Sequence, residues 1–202
     1  MNEKFFDLKK EKQDRFINAA LKTFAENGYK KASTDEIVGE AGISKGLLFH
    51  YFGSKQGLYE FVYNYSTKYI TMEYTRSIPQ GQVDFFDLQT AMIAAQREAM
   101  RTYPYMNIFL TQAFREKDSE IVEAVAVSMD QYSAFLGQTY GKADVSRFQP
   151  GIDPSGVLKM CLYIADGILL EQFRDQKTDA DKYYEDNISY LHLLRKQFYL
   201  DC

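Results

Sequence analysis

Apolar residues along this chain recur at steps of three and four in nearly every segment, and no stretch sustains a two-residue alternation, so the pattern predicts helices throughout. From Lys12, the residues Phe16, Ile17, Ala20, Leu21 and Phe24 mark one helix face. Asn27-Gly28 supplies a left-handed stop, after which Tyr29 can fold back on the helix end. Ser33 with Glu36 three residues on reads as a capping box opening a short helix. That helix turns Ile37, Val38 and Ala41 inward and ends at Gly42. Ser44 caps another, running to about Tyr51, with Leu48 and then Phe52 inward. Helices this short are not stable alone, so Phe16, Phe24 and Leu48 are expected to join them in a three-helix core. The lead-in Met1 to Glu11 mixes Lys4, Lys9 and Lys10 with Glu3, Asp7 and Glu11 and reads as a frayed, solvated terminus.

Ser54 caps a helix from Lys55 to about Arg76, in which Leu58, Phe61, Val62, Tyr65, Tyr69 and Met72 keep the spacing over five turns. That length suits a link between domains. Pro79 and Gly81 break the pattern over Ser77 to Gln82. Further helices are predicted from Asp84 or Asp87 to about Arg101, from Pro104 to Phe114, and from Asp118 to about Tyr140. Gly141 to Ile152 is the longest loop, and Asp153-Pro154 signals a helix start. Val157 to Phe173 is apolar nearly all round and must be covered on both sides. The last helix, about Asp179 to Leu200, aligns Tyr184, Ile188, Leu191, Leu194 and Phe198. The expected fold is all-α, with a small N-terminal helix-turn-helix domain at 1–54 and a larger helical domain at 55–202.

Composition narrows the chemistry. With 46% apolar residues and 15% aromatics, none of them Trp, the chain can bury a sizeable core. A net charge of −4 excludes a uniformly basic coat for nucleic acid. Residues 1–60 nevertheless carry 10 Lys+Arg against 9 Asp+Glu, leaving +1 there and −5 beyond. Two cysteines, Cys161 and Cys202, form no disulfide framework and suit a reducing cytoplasm. Charge interrupts the N-terminus before a signal sequence can form. The longest apolar run, Val157 to Leu170, contains Lys159 and Asp166 and falls short of the ~20 residues a membrane span needs. His50 and His192 are the only histidines, and no nucleophile, metal or phosphate-cradle spacing is present. An enzyme is therefore not expected, nor a metal or cofactor.

Thr34, Ile37, Ala41-Gly42-Ile43-Ser44-Lys45-Gly46, Leu48, Tyr51-Phe52, Ser54-Lys55 and Leu58 resemble, in order and spacing, the DNA-binding domain of TetR family transcriptional regulators. The likeness is dense over about Lys12 to Tyr59. It implies a recognition helix at Ser44 to Tyr51 that enters a major groove, with positions 45, 46, 47, 49, 51 and 55 facing DNA. Ser33, Thr34, Ser44, Lys45, Gly46, Leu47, Phe49, His50, Tyr51 and Lys55 are accordingly the candidate DNA-binding residues. Lys45 suits a guanine edge or a phosphate; His50, Tyr51 and Lys55 suit phosphate oxygens. Leu47 stands where the family usually has Thr, and Phe49 where it usually has Tyr. Each either presses on a thymine methyl or packs against helix neighbours.

The resemblance further implies a homodimer on a palindromic operator, double-stranded DNA, paired through the two final helices. Candidate interface residues are Cys161, Ile164, Ile168, Tyr184, Ile188, Leu191, Leu194 and Phe198. An effector cavity is expected between the link helix and the two final helices, for a small apolar or aromatic compound. Its candidate lining is Met92, Gln96, Met100, Met106, Phe109, Leu110, Tyr132, Phe135, Met160 and Tyr163, any of which can equally be plain core. Arg97, Arg101 and Asp166 are either polar anchors there or surface ion pairs. The implied activity is a ligand-responsive repressor whose link helix moves on effector binding. A helical small-molecule binder that has lost specific DNA binding is the alternative that Leu47 and Phe49 raise.

Overall fold

The computed structural model describes residues 3–200; Met1, Asn2, Asp201 and Cys202, with the terminal readings that fall on them, lie outside. Ten helices account for most of the described residues: α1 (Glu3–Phe6), α2 (Lys10–Lys31), α3 (Thr34–Ala41), α4 (Lys45–Phe52) and α5 (Lys55–Ser77), then α6 (Phe85–Thr102), α7 (Met106–Ala113), α8 (Ser119–Tyr140), α9 (Pro154–Arg174) and α10 (Ala180–Phe198). A two-residue parallel pair joins β1 (Val83–Asp84) to β2 (Ala143–Asp144), too short to show in any periodicity. The chain divides into two compact units that do not follow chain order.

The first unit holds residues through Tyr69 together with Thr102–Tyr132. Phe16, Ile17, Leu21 and Phe24 of α2 are buried with Ile37 of α3, Leu48 of α4, Leu58 and Val62 of α5, and Phe109 of α7. Gly28 leaves helical geometry at φ 65°, as the expected stop requires. The lead-in departs from expectation. Phe5 of α1 is fully buried, with its ring 5.5 Å from Phe16, 5.8 Å from Tyr51, 5.5 Å from Phe52 and 5.1 Å from Phe61. Gln13 holds the same segment by donating to the carbonyls of Phe6 and Leu8 at 3.0 and 2.7 Å. The local charge pattern suggested fraying, but burial of one aromatic ring outweighs it.

Two glycines set the path around the short helices. Gly42 takes up the left-handed conformation after α3, and Ile43 N–H returns to the Val38 carbonyl at 3.1 Å. At Gly57 a Cβ would stand 2.2 Å from the Phe52 carbonyl oxygen, so only glycine lets α5 begin this close to the end of α4.

The second unit holds Ile70–Arg101 and residues from Ser133 on. Its organising polar group is Asp84. One carboxylate oxygen accepts from the Phe86 and Asp87 N–H groups and from Arg195 at 2.7 Å; the other accepts from Arg147 and from the Tyr199 hydroxyl at 3.1 Å. Of the two acids considered for this helix start, Asp84 is the cap. The expected caps Asp118, Asp153 and Asp179 likewise accept from first-turn N–H groups. Pro104 precedes α7 rather than opening it, because Met106 N–H turns back to the Tyr103 carbonyl. The last helix stops at Phe198, and Tyr199 becomes extended to bridge Phe148.

Candidate nucleic-acid interface

The recognition segment is built as its sequence predicts. Ser44 Oγ accepts from Leu47 N–H at 3.2 Å and starts α4; Ser54 Oγ accepts from Gly57 N–H at 3.0 Å and starts α5. Leu48 is buried, and Phe52 stacks on Phe16 with ring centres 5.2 Å apart. This anchoring leaves Lys45, Gly46, Phe49 and His50 exposed and Leu47 and Tyr51 half-buried. Ser33 is exposed at the N-cap of α3 but its side chain accepts no capping bond, so the capping box is not formed; Thr34 is half-buried. Tyr51 carries Phe5 against one side of its ring and His50 5.7 Å from another.

Two lysines behave differently from one another. The Lys45 ammonium bridges both carboxylate oxygens of Asp35 in the first turn of α3, at 2.8 and 2.9 Å. Lys55 is turned inward. Its ammonium donates to the carbonyls of Tyr29, Lys30 and Ala32 at 2.9, 3.2 and 3.3 Å and lies 4.6 Å from the centre of the Tyr29 ring. All three ammonium donors are thereby committed to the C-terminal end of α2, where the helix dipole favours a cation. A phosphate contact was expected at Lys55; here its ammonium instead caps the C-terminal end of α2. Nothing local in the sequence signals this, since the carbonyls lie 23 to 26 residues away.

In the second unit a cavity of about 30 Å³ is lined by Gln89, Met92, Ile93 and Gln96 of α6, Tyr140 of α8, and residues of α9 and α10. Of the expected lining only Met92 and Gln96 are there. Gln96 is held by Tyr74 and Tyr183, donating to the first at 2.8 Å and accepting from the second at 2.6 Å. Met100 is buried elsewhere in α6, and Phe135 packs its ring along Tyr74. Met106, Phe109, Leu110 and Tyr132 belong to the core of the first unit, where Phe109 meets Tyr59 at 5.3 Å and Tyr132 meets Phe114 at 5.9 Å. Met160 and Tyr163 point outward, Tyr163 being 71% exposed.

The candidate dimer set is divided in a similar way. Cys161, Ile164 and Leu191 line the cavity, so their side chains are turned into the unit. Ile168, Tyr184, Ile188, Leu194 and Phe198 are half-buried. The outward apolar side chains are Met160 and Tyr163 on α9 and Leu193 on α10, with Leu193 61% exposed, while Leu162 and Tyr190 are partly exposed and also line the cavity. A helix apolar on every side carries no phase; which stripe faces in is decided by what packs on it. Arg101 pairs with Asp181 at 2.8 Å and Arg97 lies over the Tyr184 ring at 4.3 Å, an ion-pair network on the surface. Among the described residues no group of three or more His, Cys, Asp or Glu side chains is placed to hold a metal, and no helix is long and apolar enough to cross a membrane.

An exposed recognition helix on a three-helix core, followed by an all-helical body, defines a helix-turn-helix regulator-type fold. Residues 16–62 match the family described as bacterial regulatory proteins, tetR family. That match covers the helix-turn-helix head, from α2 into α5. The chain is similar to the HTH-type transcriptional regulator YuxN of Bacillus subtilis, 46% identical over 56 residues, which is 28% of this chain and 19% of that protein. The match thus spans about a fifth of the relative's length. Over the whole chain the fold is similar to a TetR family transcriptional regulator from Chloroflexus aurantiacus (TM-score 0.61, 18% identity, 98% of each chain covered). It is also similar to FadR of Bacillus subtilis, solved in complex with stearoyl-CoA (TM-score 0.60, 17% identity, 88% of this chain and 96% of that one covered).

Proposed function

We propose that this protein is a cytoplasmic, DNA-binding transcriptional repressor that acts as a homodimer on a palindromic operator and is released by a small effector. The observation that carries the reading is α4 itself: Ser44 caps it, Leu48 and Phe52 anchor it, and Lys45, Gly46, Phe49 and His50 stand exposed along it. Such a helix offers a cation, a gap for close approach and an apolar ring to base edges. Residues 1–54 form the reading head in this scheme, and 55–202 the body that senses and pairs. Pairing of two copies through the outward apolar residues of α9 and α10 would present two recognition helices to two half-sites, a helical turn or a multiple apart. The cavity around Met92, Ile93 and Gln96 is the effector site, apolar with Gln96 as polar anchor. At about 30 Å³ it must open before an aromatic compound enters. The complex of FadR, a neighbour in fold, with stearoyl-CoA supports a ligand-responsive role.

Selection of bound fragments from a random DNA pool by the purified chain tests this, the expected result being an inverted repeat whose affinity falls steeply with salt. A chain that binds no DNA at low salt would instead be a helical small-molecule binder. The absence of family hydroxyls at Leu47 and Phe49 is what favours that second reading.

A further inference from the structure

The ion pair between Asp35 and Lys45 has no evident role in holding the fold. Both side chains are half or more exposed, and exposed pairs of this kind contribute little to stability. It nevertheless joins the first turn of α3 to the first residue of α4, the two helix ends that a helix-turn-helix brings to DNA. The first turn of α3 carries two acids, Asp35 and Glu36, while that of α4 carries none. A carboxylate in this place works against phosphate binding, so its presence costs general affinity for DNA.

We propose that Asp35 is a specificity-determining residue that acts by positioning Lys45. This rests on the DNA-binding reading above. A free lysine is a mobile point charge that any nearby phosphate attracts. With both carboxylate oxygens of Asp35 on its ammonium, Lys45 keeps one of three N–H donors for another partner and holds it at a fixed place on the recognition helix. A donor held in place rewards the base pair that sets an acceptor there, such as guanine O6 or N7, over one that sets a donor or a methyl; a loose ammonium takes whichever acceptor is near. Asp35 thus exchanges general affinity for selectivity.

The test uses the full chain, the duplex it selects from a random pool, and a scrambled duplex of the same length, in Asp35→Asn, Lys45→Met and the double variant. Asp35→Asn is expected to bind the scrambled duplex several-fold more tightly, with a salt dependence steeper by about one counterion (roughly 0.9 in log–log slope). The ratio of selected to scrambled affinity is expected to fall by about fivefold or more. In the Lys45→Met background the same change should leave that ratio nearly unaltered. An unchanged slope and ratio in Asp35→Asn overturns the proposal. So does an equal loss of selectivity with and without Lys45, which would mean that Asp35 contacts a base itself. A wild-type chain that binds neither duplex at low salt sinks the DNA-binding reading as well, whereas binding with indifferent variants sinks this inference alone.

Discussion

The Tyr103 hydroxyl donates to the Asp14 carboxylate, joining the segment before α7 to α2 across 89 residues of chain. Tyr65 of α5 meets the same hydroxyl at 2.7 Å, and Lys10 lies 2.6 Å from Asp14 and 3.1 Å from Tyr103. Burial, reinforced by the bond to Asp14, holds the Tyr103 phenol protonated far above its ordinary range. Tyr103→Phe removes the shared hydroxyl while keeping the ring. It is expected to destabilise the protein by about 1–2 kcal/mol, read from urea unfolding, because Asp14 keeps Lys10 and loses only one of two partners. Asp14→Ala should cost at least as much, since Lys10 loses its counter-ion and the Tyr103 hydroxyl its carboxylate acceptor.

Lys55 and Lys45 should separate stability from DNA affinity. Lys55→Met leaves the carbonyls of Tyr29, Lys30 and Ala32 without their donor and is expected to cost about 1–3 kcal/mol of stability. DNA affinity of the folded fraction should hardly change. Lys45→Met is expected to do the opposite, leaving urea unfolding within about 0.5 kcal/mol of wild type and weakening binding to the selected duplex. If Lys55→Met weakened DNA binding without touching stability, its assignment to the C-terminal end of α2 would be wrong.

The outward face of α9 and α10 should control self-association. Tyr163→Asp and Leu193→Glu change side chains that are largely exposed in the single chain, so folding should be unaffected. Both are expected to shift a dimer to monomer in sedimentation analysis, because a buried unpaired carboxylate is costly at an interface. Cys161→Ala, by contrast, alters the cavity wall and should leave association intact. A monomeric wild type would discard the pairing scheme.

Alkaline pH should destabilise the protein in a defined window. Burial pushes the Cys161 thiol and the Tyr63 phenol up to about 12, and burial with the neighbouring Asp84 charge does the same to Tyr199. The unfolded chain loses these protons at the ordinary values of 9.0 and 10.0, while the folded chain keeps them to about 12. The contribution is therefore constant below about pH 9 and is lost progressively as pH rises toward 12. Urea midpoints at about pH 7, 9 and 11 should be level over the first interval and fall over the second. In the native protein Cys161 should also resist alkylation near neutral pH, since the reactive thiolate is suppressed.

The sequence by itself determined the all-helical class, most helix boundaries and the recognition segment. Those properties depend on neighbours within a few residues: Ser44 and Asp153 cap the next turn, Gly42 admits a left-handed residue, and Leu48 with Phe52 marks the inner side of α4. The helix-turn-helix head was therefore legible before any coordinates. Tertiary structure decided what those side chains meet. It drew Phe5 into the core, committed Lys55 to carbonyls more than twenty residues away and paired Lys45 with Asp35. It also set the phase of α9, sending Cys161 inward and Tyr163 outward. A helix with apolar residues on every side, or a long cation with several acceptors in reach, has no local preference among partners; packing and electrostatics from distant segments choose for it.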